Sequence, residues 1–125
     1  MKSSNLDSTA TAETSLAFVS TIKTQWGLSD SDICTLFRLK ASELTDCYNK
    51  PFKFDLDRLE RAGYLMSIDS ILSGIFTEDQ KRAWLRSRDT TTNFGGATVL
   101  EKLLSGRVRD LYDVESWLKS RIELL

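Results

Sequence analysis

The sequence predicts an all-α fold, and three observations carry that expectation. Apolar residues recur at spacings of three and four, the period of one face of a helix. A single proline, Pro51, interrupts the 125 residues. Thr77 followed by Gln80, and Thr98 followed by Glu101, form the capping-box pattern of a helix start. Strands would show apolar–polar alternation and denser turn punctuation, and no segment reads that way.

A first helix is expected from about Ala12 to Trp26, with Leu16, Val19, Ile22 and Trp26 on one face and Gly27 closing it. Ser29 is a suitable N-cap for a short second helix carrying Ile33, Leu36 and Phe37. Arg38-Leu39-Lys40 then turns into a third helix, about Ala41 to Tyr48, and two short helices about a tight turn have helix-turn-helix spacing. After the break at Pro51, a long fourth helix is expected from Asp55 to about Ser73. Leu56, Leu59, Ala62, Leu65, Met66, Ile68, Ile71 and Leu72 form its broad apolar stripe, and Gly74 marks its end. The Thr77 box opens a short helix through Trp84 and Leu85, and Arg88 to Gly96 reads as a polar loop. The Thr98 box opens a helix through Leu103 and Leu104 that Ser105-Gly106 terminates. A last helix from Val108 places Leu111, Val114, Leu118 and Ile122 on one face, with Trp117 beside them.

Length and composition bound the function. With 41% apolar and 28% charged residues, the chain has a globular composition and can bury its core as one domain, or as two helical subdomains sharing a core. No apolar run is long enough to span a bilayer, so no membrane role is expected. Met1 to Glu13 is rich in Ser and Thr and lacks the basic-then-apolar order of a signal peptide, so it reads as the loose tail of a cytoplasmic protein. Histidine is absent. That removes Cys/His zinc sites, Ser-His and Cys-His dyads, and the side chain best matched to proton transfer near neutrality. Cys34 and Cys47 are expected as reduced, semi-buried thiols. Asp55, Asp57 and Glu60 read as an acidic first turn with Arg58 and Arg61 as local partners, ahead of a hydrolase or metal reading. Hence no catalytic residue, metal or cofactor is expected, and the chain is expected not to be an enzyme. Net charge is −1. Residues 1–75 hold eight Lys/Arg against ten Asp/Glu and residues 76–125 nine against eight, so neither half has the bulk positive charge that phosphate neutralisation usually needs.

One stretch carries more specific information. Ala83-Trp84-Leu85-Arg86-Ser87, then Phe94-Gly95-Gly96, then Val99 to Gly106 with its run Leu100-Glu101-Lys102-Leu103-Leu104, closely resembles the toxin-binding domain of the Xre/MbcA/ParS antitoxin family. The shared order is a helix ending in Trp-Leu-Arg, a loop, Gly-Gly, a short Leu-rich helix, a Ser-Gly turn and a final helix. Members often have a short Pro-containing loop and an Arg after Gly-Gly. This chain has the longer Arg88-Asp89-Thr90-Thr91-Thr92-Asn93 and then Ala97. The resemblance implies a flexible tail (1–11), an Xre-like helix-turn-helix and dimerisation region (12–75) and a toxin-binding domain (76–125). It further implies an antitoxin, homodimeric within a larger complex, that occludes the active site of an NAD-degrading RES-domain toxin and also represses its own operon. The alternative is a stand-alone helix-turn-helix regulator whose C-terminal part only dimerises.

The residues implied for toxin contact are Arg86, Arg88, Thr92, Asn93, Phe94, Gly95, Gly96 and Ala97. Each also has a plain reading: glycines permit positive φ between helices, and the loop is a solvated connector. Trp84 and Leu85 read first as core and second as interface anchors. For operator DNA the candidates are Lys40, Ser42, Thr45, Lys50 and Lys53, although Glu43 and Asp46 on the same helix would repel phosphate. A degenerate helix-turn-helix used for packing or dimerisation fits that charge at least as well.

Overall fold

The computed structural model describes residues 9–88 and 94–123, and every regular element in them is an α-helix. In chain order these are α1 (Thr9–Trp26), α2 (Asp30–Phe37), α3 (Ala41–Asn49), α4 (Leu56–Ile75), α5 (Glu78–Leu85), α6 (Val99–Leu103) and α7 (Val108–Glu123). The all-α expectation holds. Thr90, Thr91, Thr92, Asn93, Leu124 and Leu125, all weighed from the sequence, lie outside the described residues.

Local chemistry sets the helix ends. Gly27, at φ +64°, closes α1, and the Leu28 N–H reaches back 3.0 Å to the Lys23 carbonyl. The Ser29 hydroxyl accepts from the Asp32 N–H at 3.1 Å. At the far end of α2, Arg38 takes the left-handed conformation (φ 57°), and the Leu39 N–H closes on the Cys34 carbonyl at 2.8 Å. That pair of residues turns the chain into α3, whose start is held by Glu43 Oε1 accepting the Lys40 N–H at 2.8 Å. Asp55 lies just outside α4 as its N-cap, accepting from the Arg58 N–H at 3.0 Å. Both capping boxes read from the sequence are present at Thr77/Gln80 and Thr98/Glu101.

Two boundaries differ from expectation. Helix α1 begins at Thr9, not Ala12, because no glycine or proline precedes Ala12 to stop it. Helix α4 continues through Gly74 to Ile75, and its last turn closes with the Phe76 N–H on the Leu72 carbonyl at 2.8 Å. Gly74 keeps a negative φ. A glycine ends a helix by adopting the left-handed conformation, and here extended Phe76 does the stopping so that Thr77 can cap α5.

Helix α4 is the central element, packed against α1, α2, α5 and α7. One cluster of buried apolar side chains runs from Val19 to Leu118, with Trp26, Phe37, Leu65, Ile68, Leu72, Leu85, Val99 and Leu103 among its members. The predicted faces of α1, α4 and α7 are therefore turned inward. Exposed Leu56 and Ile122 are exceptions, and Leu16 is only half-buried. Among the described residues no helix is long and apolar enough to cross a membrane.

Candidate protein-binding surface

Arg86 and Arg88 follow α5, and the structure gives them different tasks. Arg86 turns back on α1: its Nη2 donates to the carbonyls of Trp26 (2.9 Å) and Gly27 (3.0 Å), and its Nη1 to that of Arg82 (3.1 Å). A cation over carbonyls left open at a helix C-terminus is favourable on both hydrogen-bond and dipole grounds. Arg86 is exposed, yet its guanidinium is thus engaged by carbonyls of this chain. Arg88 stays 63% exposed while its Nη1 donates to the Gly96 carbonyl at 2.8 Å and lies 3.3 Å from Glu101.

Gly95 and Gly96 both have positive φ, 70° and 84°, and a Cβ on either would meet open space. Backbone conformation, not crowding, demands glycine here. Phe94, just before them, packs edge-on to Trp117 at 6.0 Å with Lys102 Nζ 5.3 Å above its ring, so the turn is pinned to α6 and α7. Ala97 is half-buried, its N–H directed at the Phe94 carbonyl. Glu101 accepts the Thr98 N–H at 2.8 Å, and that bond, with Arg88 nearby, holds its carboxyl below the usual range. Of the residues implied for toxin contact, then, the structure gathers Arg88, Phe94, Gly95, Gly96 and Ala97 on one turn. It assigns Arg86 to the end of α1. Thr92 and Asn93 are outside the described residues.

Next to this turn the structure builds an aromatic file that the sequence did not reveal. Phe76 and Trp84 lie 6.2 Å apart, Trp84 stacks on Trp117 at 6.0 Å and 24°, and the Arg121 guanidinium sits 5.0 Å over the Trp117 ring. Trp84 is consequently neither wholly core nor a free anchor: one side packs on the core and the rest lines a 240 Å³ hollow with Trp117. Helical spacing marks each tryptophan as apolar-facing. It does not tell that the two meet.

At the α6–α7 corner, Asp110 is buried and accepts from Ser105 Oγ (2.6 Å), Lys102 Nζ (3.0 Å) and the Arg107 guanidinium (3.0 Å). The Ser105 hydroxyl above all, then the two cations, hold its carboxyl down at about 2. This ties the Ser-Gly turn to the first turn of the last helix.

The second candidate surface is on α3. Lys40, Ser42, Thr45, Lys50 and Lys53 are all exposed. Thr45 donates its hydroxyl to the Ala41 carbonyl at 3.2 Å, and Lys50 lies 3.6 Å from Asp46. Glu43, read from the sequence as a repellent acid, faces inward and pairs with Arg58 at 3.0 Å. Arg38, Lys40, Arg58 and Arg61 line a 410 Å³ hollow beside the start of α3. Glu43, Asp55 and Asp57 are the carboxylates that pair with Arg58 and Arg61 there. The arginines of that hollow are missing from the sequence-derived set because they lie on the turn after α2 and on α4.

The thiols are quiescent: burial pushes Cys47 up to about 11 and raises Cys34, so both are protonated at neutral pH. Among the described residues no group of His, Cys, Asp or Glu is arranged to hold a metal ion. Comparison with protein-family models, with curated proteins and with solved structures gives no match for this chain.

Proposed function

We propose that this chain is an antitoxin that neutralises a RES-type, NAD-degrading toxin by binding it and covering its active site. The observation that supports this most is the arrangement after Thr77: a capped helix ending in Trp-Leu-Arg, a positive-φ Gly95-Gly96 turn fixed by Phe94 and Arg88, a second capped helix and a long final one. These elements follow the order of the family's toxin-binding domain, with α6 packed against both α5 and α7. Occlusion asks for an interface of about 800 Å² per partner and no chemistry from the plug. The toxin-facing surface in this reading is the turn from Phe94 to Ala97 with Arg88 and the exposed side of α7. A homodimer joined through the N-terminal helices would carry two copies of it.

Co-expression with a RES-domain toxin tests the reading. Growth rescue and a stoichiometric complex on size exclusion are expected, and rescue should fall with Arg88→Glu. Full rescue by that variant and by a second surface change, Gly96→Arg, would remove the turn from the interface. Deleting α7 is a poor test, because Leu111, Val114 and Leu118 belong to the shared core and the whole fold would suffer.

The stand-alone regulator keeps one specific support, the exposed face of α3 with the basic hollow at its start. Under that reading the purified protein shifts operator DNA at low salt with no partner present.

A further inference from the structure

We infer that the aromatic hollow between the end of α4, α5 and the last turns of α7 is the anchor pocket for an acidic, apolar segment of the partner protein. The inference rests on the protein-binding reading above and specifies where the anchor lies. Phe76, Trp84, Trp117 and Leu118 form its floor, and the exposed Ile75 (46%) and Ile122 (37%) extend its rim. Its 240 Å³ exceeds the roughly 150 Å³ that holds a benzene ring and falls short of the roughly 300 Å³ where drug-sized ligand sites begin. One large apolar side chain fits.

Charge identifies what accompanies that side chain. Arg121 stands at the edge of the hollow over Trp117, and among the described residues no carboxylate lies within salt-bridge distance of it. A second shallow hollow shares Ile122 and is bordered by Lys119, whose Nζ is already paired with Glu115 at 3.5 Å, with Ser67, Ser70 and Ile71 completing it, so Arg121 is the cation the charge argument rests on. Among the described residues neither lining contains a carboxylate. Tryptophan and arginine are residue types that dominate binding hot spots, and Arg121 at the border of this apolar patch selects an acidic segment.

The full ¹⁵N-labelled chain titrated with acetyl-Glu-Phe-Leu-Glu-amide, and separately with acetyl-Lys-Phe-Leu-Lys-amide, tests this through the indole N–H signals. Trp26, buried and bonded to Asp69, is an internal reference that should not move. Trp84 and Trp117 should shift with the acidic peptide, and about tenfold more weakly with the basic one, the scale expected of a hot-spot arginine. Arg121→Glu, at an exposed position, should reverse the preference. The proposal is overturned if both peptides act alike, if neither indole responds at millimolar peptide, or if nuclear Overhauser contacts seat Leu124 or Leu125 of the same chain against Trp117. No toxin enters this titration. A protein that binds the acidic peptide yet gives no rescue refutes the antitoxin reading alone, whereas rescue with no peptide response refutes the pocket alone.

Discussion

Lys81 is only 1% exposed and donates from Nζ to Asp69 (2.7 Å), Gln25 (2.9 Å) and Ser73 (2.8 Å), while Asp69 also accepts the Trp26 indole N–H at 2.8 Å. A buried ion pair adds little over an apolar equivalent, but removing one partner strands the other charge away from water. Lys81→Met should therefore destabilise by about 3–5 kcal/mol in urea unfolding. Lys81→Met with Asp69→Asn should recover most of that loss, since the amide oxygen still accepts from Trp26. Asp110 makes a pH prediction. Its carboxyl is held at about 2 against an ordinary 3.8, so its contribution is complete above about pH 4 and disappears as pH falls towards 2. Acid titration followed by circular dichroism should show a loss of stability in that window, and Asp110→Asn should flatten it while lowering stability at neutral pH.

At the level of elements, glycines separate two kinds of helix ending. Gly96→Ala forces a side chain into φ +84° and should cost on the order of 1–2 kcal/mol, although no atom obstructs it. Gly74→Ala, within α4 and equally unobstructed, should raise stability by about 0.5 kcal/mol. Thermal melts of the two variants should move in opposite directions. The same pair measures how far sequence alone reaches. The capping boxes at Thr77 and Thr98 were legible because the chemistry of a helix start lies within four residues. Gly74 misled because glycine permits a stop without requiring one. The turn at Gly95-Gly96 was legible on the same local grounds. The Trp84–Trp117 stack, the Arg58–Glu43 pair and the tie of Arg86 to α1 were not, because amphipathic spacing says which face of a helix is buried and nothing about which helix it meets.

Across the whole molecule, the regions 12–75 and 76–125 read from the sequence meet along α4 with α7 and α1 with α5. A protease site engineered between residues 88 and 94 leaves α5 with α1 and α4, and the contacts of α7 with α4 and of α6 with α5 should keep the two fragments together, co-eluting under native conditions and separating only in denaturant. Fragments that part in buffer would show that the shared core adds too little to hold them. Arg86 and Lys81 both reach from the second region into α1, where they find the Trp26 carbonyl and the Gln25 side chain.

The Lys81 network has a consequence for anyone who would retarget such a protein by exchange of parts. Residues 76–125 grafted onto a foreign helical scaffold carry an ammonium whose acceptors stay behind on α1 and α4. A chimaera that omits Gln25, Asp69 and Ser73 seals that charge in oil. New specificity would have to arise by altering residues on the outer surface, with the seam between the two regions inherited intact.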